Sequence, residues 1–168
     1  MALIVEDGTQ VANAESYATV AAANTYWGNR NNATWDAAAD EDKEGALREA
    51  AQYLDNVYTW EGNRVTQTQV MQWPRYIQPR LNVRQVLPTE IPDRVIHAQC
   101  ELALEALGGR LDPTLDRGGL VTSERVGPLA VTYAESAPGR KRFPFVTAIL
   151  RDLVTGDAGM LTGDLVRA

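Results

Sequence analysis

A single cysteine, Cys100, stands in a chain of 168 residues, so no intramolecular disulfide can form and no thiolate cluster can hold a metal. Histidine is as scarce: with His97 alone, a zinc site would need scattered carboxylates to complete it, and no pair of candidate ligands has zinc spacing. Every apolar run is cut by polar or charged residues well short of the roughly eighteen positions that a membrane span requires. The first twenty residues lack the basic-then-apolar order of a secretory signal. Gly-x-Gly-x-x-Gly, the Walker loop and the Gly-x-Ser-x-Gly elbow are all missing. These absences together predict a protein that is not an enzyme, carries no cofactor and no metal, and does not enter a membrane.

Positive charge is also in short supply. The chain has 22 acids against 16 bases, a net charge of −6, and the imbalance is uneven. Residues 1–59 carry 10 acids and 3 bases, residues 60–109 carry 5 of each, and residues 110–168 carry 7 acids and 8 bases. Affinity for nucleic acid comes largely from neutralising phosphates and releasing counterions. The whole-chain charge therefore predicts weak binding to single strands at physiological salt.

What is present is helical periodicity. With 45% hydrophobic and 23% charged residues, the composition suits an ordinary globular domain with a core. Ser16 is placed to cap a first helix in which Tyr17, Val20, Ala21, Asn24 and Trp27 follow at spacings of three and four until Gly28. A second helix starts near Asp40, with acids in its first turn and Ala46, Leu47, Ala50, Tyr53, Leu54 and Val57 on its inner face. Residues 68–73 suit one or two helical turns ending before Pro74, and 75–90 read as an extended loop. A third helix opens at Ile91-Pro92, buries Val95, Ile96, Gln99, Leu102, Ala103, Ala106 and Leu107, and stops at Gly108-Gly109. Short β-prone runs flank Val126-Gly127-Pro128, and Pro144 opens a last helix that includes Val154. The predicted fold is mainly α: a helical bundle of about four helices with a small β-hairpin and extended N- and C-terminal arms. One domain spans 1–154, and 155–168 form a flexible C-terminal assembly tail.

Few residues are candidates for chemistry or binding. His97 and Cys100 share a helix face with Leu, Ile and Ala, which points to packing rather than to a nucleophile and base. Trp73, Arg75, Tyr76, Arg80 and Arg84 mix rings with guanidinium groups in a loop, as single-strand binders do. Arg140-Lys141-Arg142 form a basic cluster suited to an acidic partner. Met160-Leu161 and Leu165-Val166 are apolar pairs spaced by glycine that could dock into a partner.

Several stretches occur together in one family of tailed-phage and prophage proteins. They are the opening Met1 to Thr9, Ser16-Tyr17, Tyr53-Leu54-Asp55 with Tyr58, Trp60 and Gly62, Gln72-Trp73-Pro74-Arg75, Ile91-Pro92, Ala98 to Ala103, Ser123-Glu124, Val126 to Leu129 and Val131-Thr132-Tyr133. Over residues 1–154 the chain resembles that family, although Tyr76 to Leu87 lacks the glycine-containing turn its members have after the arginine. Members commonly bear the label of DnaT-like single-stranded-DNA-binding protein, while their company of capsid and tail genes resembles that of head-tail connector adaptors.

The resemblance, joined to the acidic balance, implies a structural subunit of a phage head-tail connector. It would form a homo-oligomeric ring of twelve subunits in the virion neck, assembled in the host bacterial cytoplasm. The ring would bind the portal protein and a stopper or tail-completion protein and pass duplex DNA without gripping it. Met160, Leu161, Leu165, Val166, Arg140, Lys141 and Arg142 would be its partner contacts. The alternative is a single-stranded-DNA-binding protein that uses Trp73, Arg75, Tyr76, Arg80 and Arg84.

Overall fold

A computed structural model describes residues 2–78, 85–113 and 141–155, and the backbone of 123–126 and 129–132. The chain separates into two compact units, Met1–Leu111 with Phe143–Ala168, and Asp112–Arg142. The first holds the helices α1 (Val20–Gly28), α2 (Ala33–Ala37), α3 (Asp40–Val57), α4 (Asp93–Leu107) and α5 (Pro144–Leu150), and a short antiparallel pair, β1 (Asn63–Arg64) with β2 (Arg75–Tyr76). The second holds the antiparallel hairpin of β3 (Ser123–Val126) and β4 (Leu129–Thr132), in register Val126 to Leu129. The mainly α class and the hairpin agree with the sequence.

Helices α3 and α4 form the centre of the first unit. Leu47, Ala50 and Leu54 from one and Val95, Leu102 and Ala103 from the other are buried, as their spacing predicts, and Ala98 is buried beside them. Helix α3 carries Asp40, Glu41 and Asp42 in its first turn, where acids favour the positive end of the helix dipole. Of the expected core, Tyr17, Trp27, Leu47, Leu54, Val95 and Leu102 are buried, and Leu107 is half-buried at the end of α4.

Several boundaries depart from the sequence-based expectation for local reasons. Helix α1 is capped by Thr19, whose hydroxyl accepts from the Ala22 amide at 3.0 Å. Ser16 is not its cap: its hydroxyl donates to the Ala18 carbonyl at 2.7 Å, fixing a buried turn before the helix. Helix α2 was not foreseen, because an Asn32 cap seats one large residue, Trp35, and five residues show no period. Residues 68–73 form bends and no helix. Pro92 is the residue before α4, with Asp93 first in it. Val154 lies past the end of α5, bridged to Trp60.

The amino-terminal arm is extended and docked on its own chain. The Glu6 amide donates to the Ser16 carbonyl and the Glu15 amide to that of Ile4, both at 2.8 Å. Buried Glu6 then turns its carboxylate into the following loop, where it accepts from the amides of Gly8 (2.8 Å), Gln10 (3.0 Å) and Val11 (2.9 Å). Gly8 has a φ of +103°, and a Cβ there would lie 2.2 Å from the Thr89 carbonyl oxygen, so only glycine fits.

Candidate nucleic-acid interface

Of the aromatic and arginine residues singled out in the sequence, Trp73, Arg75 and Tyr76 fall in the loop and paired strands of 60–78, and the structure divides these three by depth. Trp73 is fully buried, its ring edge-on to Trp60 with centroids 5.6 Å apart. Arg75 is 7% exposed. Its Nε donates to the Glu61 carbonyl (2.8 Å). Nη1 donates to the Gln72 carbonyl (3.1 Å) and to Gln72 Oε1 (3.0 Å), and Nη2 to the carbonyls of Gly62 (2.6 Å) and Trp60 (3.4 Å). A guanidinium has five N–H donors, and five acceptors of its own chain face this one. Neither Trp73 nor Arg75 is available to a base or a phosphate, which corrects their assignment as DNA contacts.

Strand alternation turns the next residue outward. Tyr76 is 55% exposed, opposite Asn63 in the register, and Arg64 on β1 is exposed. Among the described residues, Tyr76 and Phe145 are the aromatics more than half exposed. Gly62 has a φ of +69°, and a Cβ there would fall 1.9 Å from the Tyr76 carbonyl oxygen, so the two strands close only around glycine.

The loop between the strands is built on buried polar groups that carry no local signal in the sequence. Gln69 Oε1 accepts from the Thr66 amide (3.0 Å), and its Nε2 donates to the carbonyls of Met71 (2.9 Å) and Pro74 (3.1 Å). Asp55, in the last turn of α3, accepts from the Tyr17 hydroxyl and, at 3.1 Å, from the Gln72 amide. The Tyr17 oxygen accepts from the amides of Gln72 (3.1 Å) and Trp73 (3.3 Å). The core thereby holds the loop at the position just before Trp73.

Burial pushes the Asp55 carboxyl up to about 6, against the lowering effect of its Tyr17 and Gln72 hydrogen bonds and of Arg75 and Arg64. A carboxyl raised above its unfolded value contributes stability that is present below about pH 4 and is lost as pH rises through about 6. Asp55→Asn removes this titration. The Tm of the variant relative to wild type should therefore rise from pH 4.5 to pH 7.5, by the equivalent of up to about 3 kcal/mol. A constant difference across that range would show that Asp55 titrates normally.

The other candidates lie elsewhere. His97 is exposed on α4, its ring 4.9 Å from that of Tyr26. Tyr26 also carries the Arg30 guanidinium 3.6 Å above its ring and donates to Glu101 at 2.6 Å. Cys100 is buried and its thiol is pushed up to about 12 by that burial, so the thiolate a nucleophile needs is scarce at neutral pH. Among the described residues no three His, Cys, Asp or Glu are grouped to hold a metal, and no helix is long and apolar enough to cross a membrane. Lys141 and Arg142 are exposed in the approach to α5. Arg80, Arg84, Arg140, Met160, Leu161, Leu165 and Val166 lie outside the described residues.

A family model described as "Putative DnaT-like ssDNA binding protein" matches residues 1–168. No curated protein and no solved structure matches the chain. The family description names single-stranded DNA and contains no virion, portal, adaptor ring or connector role. The expectation of a dodecameric head-tail connector subunit, a structural protein of phage assembly, is corrected on that finding. It had rested on whole-chain acidity and on the company that similar genes keep, and neither is a property of a binding surface.

Proposed function

Because the chain belongs to the family of DnaT-like single-stranded-DNA-binding proteins, we propose that it binds single-stranded DNA through the segment 60–89. The observation that carries this is the distribution of charge. Residues 60–89 hold four arginines, 64, 75, 80 and 84, against one acid, Glu61, a net of +3 inside a chain of net −6. With Arg75 consumed internally, Arg64, Arg80 and Arg84 remain as phosphate contacts and the exposed Tyr76 ring as a surface on which one base stacks. The acidic remainder repels phosphate and confines the strand to this stretch. Stacking requires an unpaired base, so a single strand is preferred to duplex.

The test is fluorescence anisotropy of a labelled oligothymidine with the full chain at about 50 mM salt. Binding in the micromolar range is expected, typical of sequence-independent contact. Three phosphate contacts give log K against log[salt] a slope of about −2, and Tyr76→Ala should weaken binding roughly 5- to 100-fold, the measured worth of one stacked base. Absence of binding at low salt, or a Tyr76→Ala variant that binds like wild type, contradicts the proposal.

A further inference from the structure

The Arg75 guanidinium lies beneath a strand whose next residue is the proposed stacking ring. Its five hydrogen bonds gather Trp60, Glu61 and Gly62 ahead of β1 and Gln72 ahead of β2. The β1 and β2 pair is two residues long on each side, in register Asn63 to Tyr76 and Arg64 to Arg75. So short a ladder has little stability of its own. The backbone around it is held instead by Gln69, by the Asp55 and Tyr17 pair and by this guanidinium.

We propose that Arg75 is a positioning residue for single-strand binding: it touches no DNA and fixes the turn at 60–62 against 72–76, so that Tyr76 stands outward. This rests on the single-strand reading above. It reverses the usual role of an arginine in a basic DNA-binding stretch, since this charge faces inward and is spent on carbonyl oxygens. Lysine cannot replace it. An ammonium has three donors directed from one point, whereas these five acceptors need a planar fork with donors on both sides.

The experiment compares wild type, Arg75→Lys, Arg75→Ala, Tyr76→Ala and the double variant of Arg75→Lys with Tyr76→Ala on labelled oligothymidine, at a temperature where circular dichroism shows all five folded. A direct phosphate contact predicts that Arg75→Lys keeps most of the affinity. It also predicts that Arg75→Ala makes the slope of log K against log[salt] less negative by about 0.7. Positioning predicts that Arg75→Lys loses as much affinity as Arg75→Ala, at least about fivefold, with the salt slope unchanged in both. It further predicts that Tyr76→Ala costs little more once Arg75 is lysine, because the ring is already misplaced.

Amide hydrogen exchange without DNA should show Glu61 to Arg64 opening faster in Arg75→Lys while the α3 and α4 amides stay protected, a local effect that general destabilisation does not give. If wild type binds and Arg75→Lys binds equally well, or if the two substitutions act independently, the positioning role is wrong and the binding proposal stands. If wild type does not bind at all, the binding proposal fails, and the exchange data alone decide whether Arg75 orders the turn.

Discussion

Replacing Gln99 with Leu is expected to lower the stability of the first unit by about 3–5 kcal/mol, although leucine matches the apolar stripe of α4 better than glutamine does. Gln99 is fully buried and uses both ends of its amide. Oε1 accepts from the amides of Tyr17 (2.9 Å) and Ala18 (2.8 Å), while Nε2 donates to Ser16 Oγ (2.7 Å) and to the Leu47 carbonyl (2.8 Å). One side chain thus ties the turn before α1 to α3 and α4. Leucine would leave these groups buried without their partner, and each donor or acceptor so stranded costs about 1–3 kcal/mol. Against a typical total of about 5–15 kcal/mol the loss is large. Urea unfolding followed by tryptophan fluorescence should show the midpoint fall sharply, and a loss under about 1 kcal/mol would mean that the site relaxes and the clamp is dispensable.

Trp73→Ala should cost a further separate loss of about 3–5 kcal/mol, the usual range for emptying a buried tryptophan site. Trp73→Phe should cost much less. The Trp73 indole N–H has no hydrogen-bond partner among the described residues, so phenylalanine breaks no bond with them and leaves only the volume difference. That pair of variants separates packing from DNA contact: Trp73→Phe should melt slightly lower and bind oligothymidine like wild type. A phenylalanine variant that kept its stability and lost its binding would place Trp73 in the interface and contradict its burial.

The elements with long periodic patterns were legible in the sequence. Eighteen residues of α3 and fifteen of α4 present an inner stripe that only a helix produces, and the hairpin of β3 and β4 lies within two residues of its expected place. Shorter elements were not legible, since the five residues of α2 and the pairs in β1 and β2 are set by single contacts such as Asn32 to Trp35. The candidate interface was half visible. Trp73, Arg75 and Tyr76 advertise rings and charge equally, and the sequence holds nothing local that sends the first two inward and the third outward. That depends on carbonyls supplied by residues 60–62 and on the anchor at Asp55, which are distant in the chain. Gln99 left a usable signal, a polar residue at an inward position of an otherwise apolar stripe, and so did Gly62, thirteen residues ahead of the arginine it helps to enclose.

Charge misled in a different way. A net of −6 argues against phosphate binding only if the charge is spread evenly, and division into thirds hid the arginine-rich stretch 60–89 by averaging it with the acids of α4. Photocrosslinking to a single strand carrying 5-bromouracil tests the central claim most directly, because it reports which residue a base lies against. The protein as a whole chain, irradiated with such an oligonucleotide at about 50 mM salt and digested for mass spectrometry, should carry its crosslink at Tyr76 or at another residue of 60–89 apart from the buried Trp73 and Arg75. A crosslink concentrated in residues 1–59, at Trp73, or nowhere above background would contradict the account.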